Sequence, residues 1–224
     1  MNINKLSATT AGLISLIAIA FQPAQAVLVQ AGGFKDNDCS GFFGSGFGAC
    51  EVFITDDGVT YKLSPVIAKY DMNGDGDTVV KTEINTALYP TVSGNEFSFT
   101  PASSGTWTYN QGSDDPGVKY WAAKAGNDFN LFWDVTDPTS AGCDTNETGQ
   151  INYNLSCLQA ANVVTTGTWS TPGGKGLSHL TFYDTEPVST TNGGGGEENP
   201  EPGIMALFGA GLLGMFLARR RYNR

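Results

Sequence analysis

The chain has 224 residues and 29 glycines, with 22 Asp and Glu against 12 Lys and Arg, for a formal net charge of −10. That acidity repels phosphate backbones and anionic lipid, so nucleic acid is not expected as a partner. The length allows one domain once two apolar ends are set aside.

Residues 1–26 read as a secretory signal peptide. Lys5 supplies the positive start and Ala11 to Phe21 the short apolar run. Ala24-Gln25-Ala26 places small residues where a signal peptidase reads them. The mature chain is therefore expected to begin near Val27 and to enter an oxidising compartment.

The 4 cysteines, Cys39, Cys50, Cys143 and Cys157, are an even set in an exported chain, which favours disulfides. Several pairings are open. The local ones, Cys39–Cys50 and Cys143–Cys157, fit the spacing best, each closing about a dozen residues and contributing roughly 3 kcal/mol. A zinc site would want C-x-x-C pairs, and the sequence has none.

The body, 27–184, reads as all-β: a single β-sandwich or jelly-roll domain. Cys50 to Thr55 is a strand candidate, Asp56-Asp57-Gly58 a turn, and Val59 to Leu63 the return strand. Val118 to Val135 is the clearest hairpin: Val118, Tyr120 and Ala122, then Phe129, Leu131, Trp133 and Val135, alternate with polar or oppositely facing neighbours around Gly126-Asn127-Asp128. Val163 to Thr171 and Leu177 to Asp184 give two more strands around a Gly-rich link. Helical periodicity is weak. Thr82 to Leu88 could form a turn or two, and Cys157 to Ala161 another. Short strands separated by Gly, Asn and Asp turns suit a sandwich.

The stretch "DMNGDGD" raises calcium. Asp71, Asn73 and Asp75 stand at positions 1, 3 and 5 of a calcium loop, with Gly76 at the turn and Asp77 beside it. The pattern then fails: Thr78 and Thr82 replace the aliphatic and glutamate positions, and Glu83 arrives a residue late. The preceding segment reads as a strand, which excludes an EF-hand and leaves a calcium-binding β-loop or a solvated acidic turn.

Other chemistry is sparse. His179 is the single histidine, and alternation sets it on one face with Thr181 and Tyr183, opposite Leu180 and Phe182. There is no G-x-S-x-G elbow for a catalytic triad. A carboxylate pair such as Asp114 and Asp134 could serve glycoside hydrolysis only if the fold brought them together. Trp107, Tyr109, Tyr120, Trp121, Trp133 and Trp169 form an aromatic set on strands. Trp133 and Trp169 are expected in the core. Tyr120 and Trp121 are adjacent and point oppositely, so one of them is a candidate sugar-stacking residue. Three phenylalanines in the Gly-rich Cys39 to Cys50 loop either fold onto the core or make a sticky contact.

The chain then changes character. Residues 185–199 are a Gly-rich tether with four consecutive glycines, spanning roughly 20–25 Å as a coil. Pro200-Glu201-Pro202 follows, then the apolar stretch 203–218, then Arg219, Arg220 and Arg221. As a helix that stretch covers about 24 Å against roughly 30 Å of hydrocarbon, short for a permanent anchor but enough for transient residence. The arginines act as a stop-transfer signal and stay cytoplasmic by the positive-inside rule, with the domain outside.

A Pro-Glu-Pro, a short apolar helix and a terminal arginine cluster, in that order, resemble the PEP-CTERM sorting signal over 200–224. The resemblance implies processing by an exosortase, a membrane cysteine protease-transpeptidase acting near Pro-Glu-Pro. It implies a Gram-negative, matrix-producing host, transient residence in the inner membrane with the domain periplasmic, and release or attachment at the cell surface or exopolysaccharide matrix. The body segments "GTWTYNQGSDDPGVKYWAAKAGNDFNLFW" and "TTGTWSTPGGKGLSHLTFYD" also look like stretches recurring in PEP-CTERM proteins of unassigned activity.

The expected function is a non-enzymatic surface or matrix protein with a structural or adhesive role. The alternatives are a carbohydrate-binding module for extracellular polysaccharide, with calcium as its one candidate cofactor, and a glycoside hydrolase.

Overall fold

The computed structural model describes residues 26–143, 152–185 and 189–190. The signal-peptide segment, most of the tether, and the sorting signal lie outside them. Among the described residues no helix is long and apolar enough to cross a membrane.

The fold is nearly all β. In chain order the strands are β1 (Val27–Lys35), β2 (Glu51–Asp56), β3 (Val59–Met72), β4 (Val79–Ile84), β5 (Phe97–Phe99) and β6 (Ser104–Tyr109). They continue with β7 (Tyr120–Ala125), β8 (Asp128–Val135), β9 (Thr166–Ser170), β10 (His179–Tyr183) and β11 (Ser189–Thr190). Among the described residues between β8 and β9, one helical turn is formed, α1 (Leu155–Gln159). Its Asn154 cap accepts a hydrogen bond from the Cys157 amide at 2.9 Å, a standard N-terminal cap.

The larger sheet has 8 strands in the order β1-β8-β7-β10-β3-β11, with β2 and β4 also pairing with β3. The 14-residue β3 serves two neighbourhoods: Val59 to Pro65 pairs with β2, and Ala68 to Met72 with β4. The β2–β3 turn is Asp57-Gly58, both at positive φ (47° and 78°), as a tight hairpin with right-handed strand twist demands. The smaller sheet is β5-β6-β9.

Strand alternation sorts the larger sheet's side chains into two cores. Tyr120, Ala122, Leu131, Trp133 and Tyr183 join one, and Trp121, Ala123, Phe132, Leu180 and Phe182 the other. The second core is closed by the small sheet, through Trp107 and Trp169. The first is closed by the two cysteine-bearing segments. Disulfides Cys39–Cys50 and Cys143–Cys157 are formed, and all four cysteines belong to this first core. The architecture is a sandwich with the large sheet in the middle, covered on one face by a sheet and on the other by disulfide-closed loops.

Two local expectations shift. Thr82 to Ile84 is strand rather than helix, held against β3, and only Asn85 to Tyr89 makes a helical turn, with the Tyr89 amide donating to the Asn85 carbonyl at 2.8 Å. The helical turn expected at Cys157 to Ala161 starts two residues earlier, where Asn154 can cap it.

Candidate functional site

An open groove of about 500 Å³ lies on the loop-covered side. Its walls come from four places: Gly33 to Asp36 at the end of β1, Phe42 from the first disulfide loop, Phe53 to Thr55 from β2, and Tyr153 from the second disulfide segment. Phe34 is the buried floor, its ring 4.8 Å from Phe42 and 4.8 Å from Phe129, in stacked orientation with the latter. Phe42 and Phe53 are half-buried, nearly parallel (14°), with centroids 6.4 Å apart. Tyr153 donates its hydroxyl to the Phe53 carbonyl, which ties the two disulfide-bearing sides together. Asp36 and Thr55 stand exposed at the rim, while Lys35 is paired with Asp128 at 2.8 Å. The groove thus combines apolar ring surface with a few polar groups, the composition of a site for a small amphipathic ligand.

Beneath the same loop lies a buried polar cluster. His179 Nε2 is 2.6 Å from Asp38 Oδ1, and Tyr183 donates to Asp38 Oδ2 at 3.1 Å. The Cys39 amide donates to Asp38 Oδ1 at 2.9 Å. On its other side His179 Nδ1 faces Asp71 Oδ1 at 3.7 Å, and Asp71 is paired with Lys69 at 2.6 Å. Burial alone would push the Asp38 carboxyl up, but the His179 charge and hydrogen bond outweigh it and hold the group well below the usual carboxylate range. Burial, with Asp38 beside it, pushes the Tyr183 phenol well up. The Tyr183 hydroxyl also lies 3.6 Å from Cys50 Sγ and 3.8 Å from Cys39 Sγ. Both ring nitrogens of His179 face carboxylates, so its geometry is that of a clamp between loop and sheet.

The other candidate residues fall as follows. Tyr120 and Trp121 do point to opposite faces, but both are fully buried, because both faces of the sheet are covered. Neither can stack on a sugar. Tyr120 donates to the Leu158 carbonyl at 2.7 Å and Trp121 to the Thr168 carbonyl at 2.8 Å. Trp133 and Trp169 lie in the two cores, 0% and 3% exposed.

Asp71, Asn73, Asp75 and Asp77 are spread along a turn that satisfies itself. Asn73 Oδ1 accepts the Asp77 and Thr78 amides at 3.1 and 3.3 Å, and Asn73 Nδ2 donates to Asp77 Oδ1 at 2.8 Å. Asp71 points instead into the His179–Lys69 cluster. Gly76 is required for another reason than a metal: φ is +75°, and a Cβ there would sit 2.7 Å from the Leu177 amide nitrogen. Among the described residues no group of three or more His, Cys, Asp or Glu is placed to hold a metal ion. Asp114 is exposed before β7, and Asp134 sits half-buried on β8, its carboxyl pushed up by desolvation.

Sequence reasoning missed Asp38 altogether, and with it the groove. The one available signal was Phe42 and Phe43 inside a disulfide-closed loop, which the structure resolves in two ways: Phe43 packs into the core, and Phe42 lines the groove.

Residues 200–221 match the family model of the PEP-CTERM protein-sorting motif. The chain therefore carries this sorting signal, which contains Pro200, Glu201, Pro202, Arg219, Arg220 and Arg221. The motif is associated with exosortase processing and implies export, with membrane-anchored transit before sorting to the cell surface. No curated protein and no solved structure matches the chain.

Proposed function

We propose that this is an exported, non-enzymatic surface or matrix protein, released from its membrane stage by an exosortase, that adheres through the aromatic groove to a neutral extracellular saccharide. The observation that carries the adhesive half is the Phe42–Phe53 pair, half-buried and nearly parallel above the Phe34 floor. Ring surfaces of this kind suit the C–H faces of pyranoses, and the exposed rim residue Asp36 offers an acceptor for hydroxyls. The acidity of the chain disfavours an anionic glycan and favours a neutral one.

A non-enzymatic role rests on the fate of the titratable groups. His179 is buried between carboxylates, and Asp36 is the one carboxylate among the groove's described lining residues. Glycoside hydrolysis needs two carboxyls facing one bond. The signal-peptide reading is supported by the position of β1, which starts at Val27, directly after the expected cleavage site.

A glycan array probed with the oxidised domain tests the adhesive reading. Binding to neutral glycans that weakens at least about tenfold in both Phe42→Ala and Phe53→Ala is expected. Binding that survives both substitutions, or no binding to any neutral glycan, refutes it.

A further inference from the structure

The two cores differ in one respect that the sequence does not show. Cys39, Cys50, Cys143 and Cys157 all lie in the core under the loops, and the core under the small sheet contains no cysteine. Outside β1 and β2, which pair with β8 and β3, the loop layer meets the sheet through isolated contacts rather than ladders. Asp38 reaches His179, the Cys50 carbonyl accepts from the Val66 amide at 2.9 Å, and Leu158 accepts from Tyr120. The small sheet is attached differently. It relies on Trp121 and Asn130 donating to the Thr168 and Ser170 carbonyls at 2.8 and 2.9 Å, and on stacked rings such as Phe97–Phe182 at 4.3 Å.

We infer that the loop-covered face is a redox-dependent unit: the two disulfides assemble the first core and its groove, while the opposite face folds without them. The Cys39–Cys50 bond carries Asp38 on its flank and touches Tyr183, so closing it fixes the carboxylate that satisfies His179 and Tyr183. The Cys143–Cys157 bond anchors α1, just after Tyr153. Phe42 and Tyr153, on the two disulfide-bearing segments, line the groove together only when both are seated. Closure takes two electrons and two protons from each thiol pair, passed to a disulfide oxidant that leaves as a dithiol. A dithiol reductant reverses it. A chain kept reduced before export would hold the groove unmade, and oxidation after export would make it. The groove's role as a ligand site rests on the proposal above. The redox dependence of its walls does not.

Hydrogen exchange on the intact domain, before and after reduction with dithiothreitol, tests this without any ligand. Amides of 36–50 and 152–161 should lose protection at least about tenfold, while those of 104–109 and 166–170 change less than about twofold. The paired variants Cys39→Ser with Cys50→Ser, and Cys143→Ser with Cys157→Ser, should each reproduce the loss on their own segment. If a paired variant does not fold, the reduced wild-type measurement decides alone. Equal loss in all four segments, or loss in none, overturns the inference. A glycan array that is negative for the oxidised domain, with exchange as expected, refutes the saccharide and leaves the redox unit standing.

Discussion

His179 Nε2 lies 2.6 Å from Asp38 Oδ1, with both side chains almost wholly buried. The two residues are 141 positions apart and join the first disulfide loop to the central strand of the sheet. Removing one member leaves the other buried without its partner, which is the costly way to break such a pair. Asp38→Asn is expected to destabilise by about 3 kcal/mol, measured by urea unfolding at neutral pH. Loss under about 1 kcal/mol would mean that the pair contributes little.

The same carboxylate sets an acid limit. Its folded pKa is depressed, so its contribution is complete above the unfolded value of about 3.9 and is lost as pH falls toward the lower folded value. Wild-type stability should therefore fall more steeply than that of Asp38→Asn below about pH 4. Parallel pH profiles for the two proteins would show that Asp38 does not titrate with unfolding.

Gly167 is fixed by a close approach. A Cβ there would lie 2.6 Å from Trp121 Cζ2 and 2.8 Å from Trp107 Nε1. Gly167→Ala should cost about 1–3 kcal/mol and alter tryptophan emission, since both rings must move. Unchanged emission and melting temperature would contradict this packing.

The acidic turn should ignore calcium. Asn73 Oδ1 already accepts two backbone amides, and Asp71 is engaged by Lys69. Up to millimolar calcium, the melting temperature should shift by less than about 1 °C. A saturable rise with calcium concentration would support calcium binding at Asp71, Asn73, Asp75 and Asp77 instead.

Processing leaves a mass signature. Protein recovered from the cell surface should begin at Val27 and lack Phe208 and the arginines at 219–221. Intact-mass measurement reads both ends. A surface-exposed form with its full C-terminus would exclude cleavage near Pro200-Glu201-Pro202.

Local patterns carried far in the sequence, and long-range ones did not. The period of two in Tyr120 to Val135 gave the hairpin and the correct facing of each residue. It could not tell whether a face is covered. Tyr120 and Trp121 each point as alternation requires, yet both are buried because a second layer lies on each side. Thr82 to Ile84 shows the same limit: weak helical preference yields to pairing with β3. The local disulfides follow from spacing in an exported chain, and both are formed. The Asp38–His179 pair depends on contacts across most of the chain, for which no short stretch holds a signal; for the groove, Phe42 in its disulfide-closed loop is the one local hint.

The placement of β10 has a mechanical meaning. Among the described residues it is the last strand apart from the two-residue β11, and it is inserted between β7 and β3 rather than hung on an edge. Once the two-residue β11 has left β3, a pull along the axis of β10 must slide two hydrogen-bonded ladders at once, instead of peeling one strand bond by bond. Tension that reaches β10 from the C-terminal side is thus met by shear across two ladders rather than by unzipping.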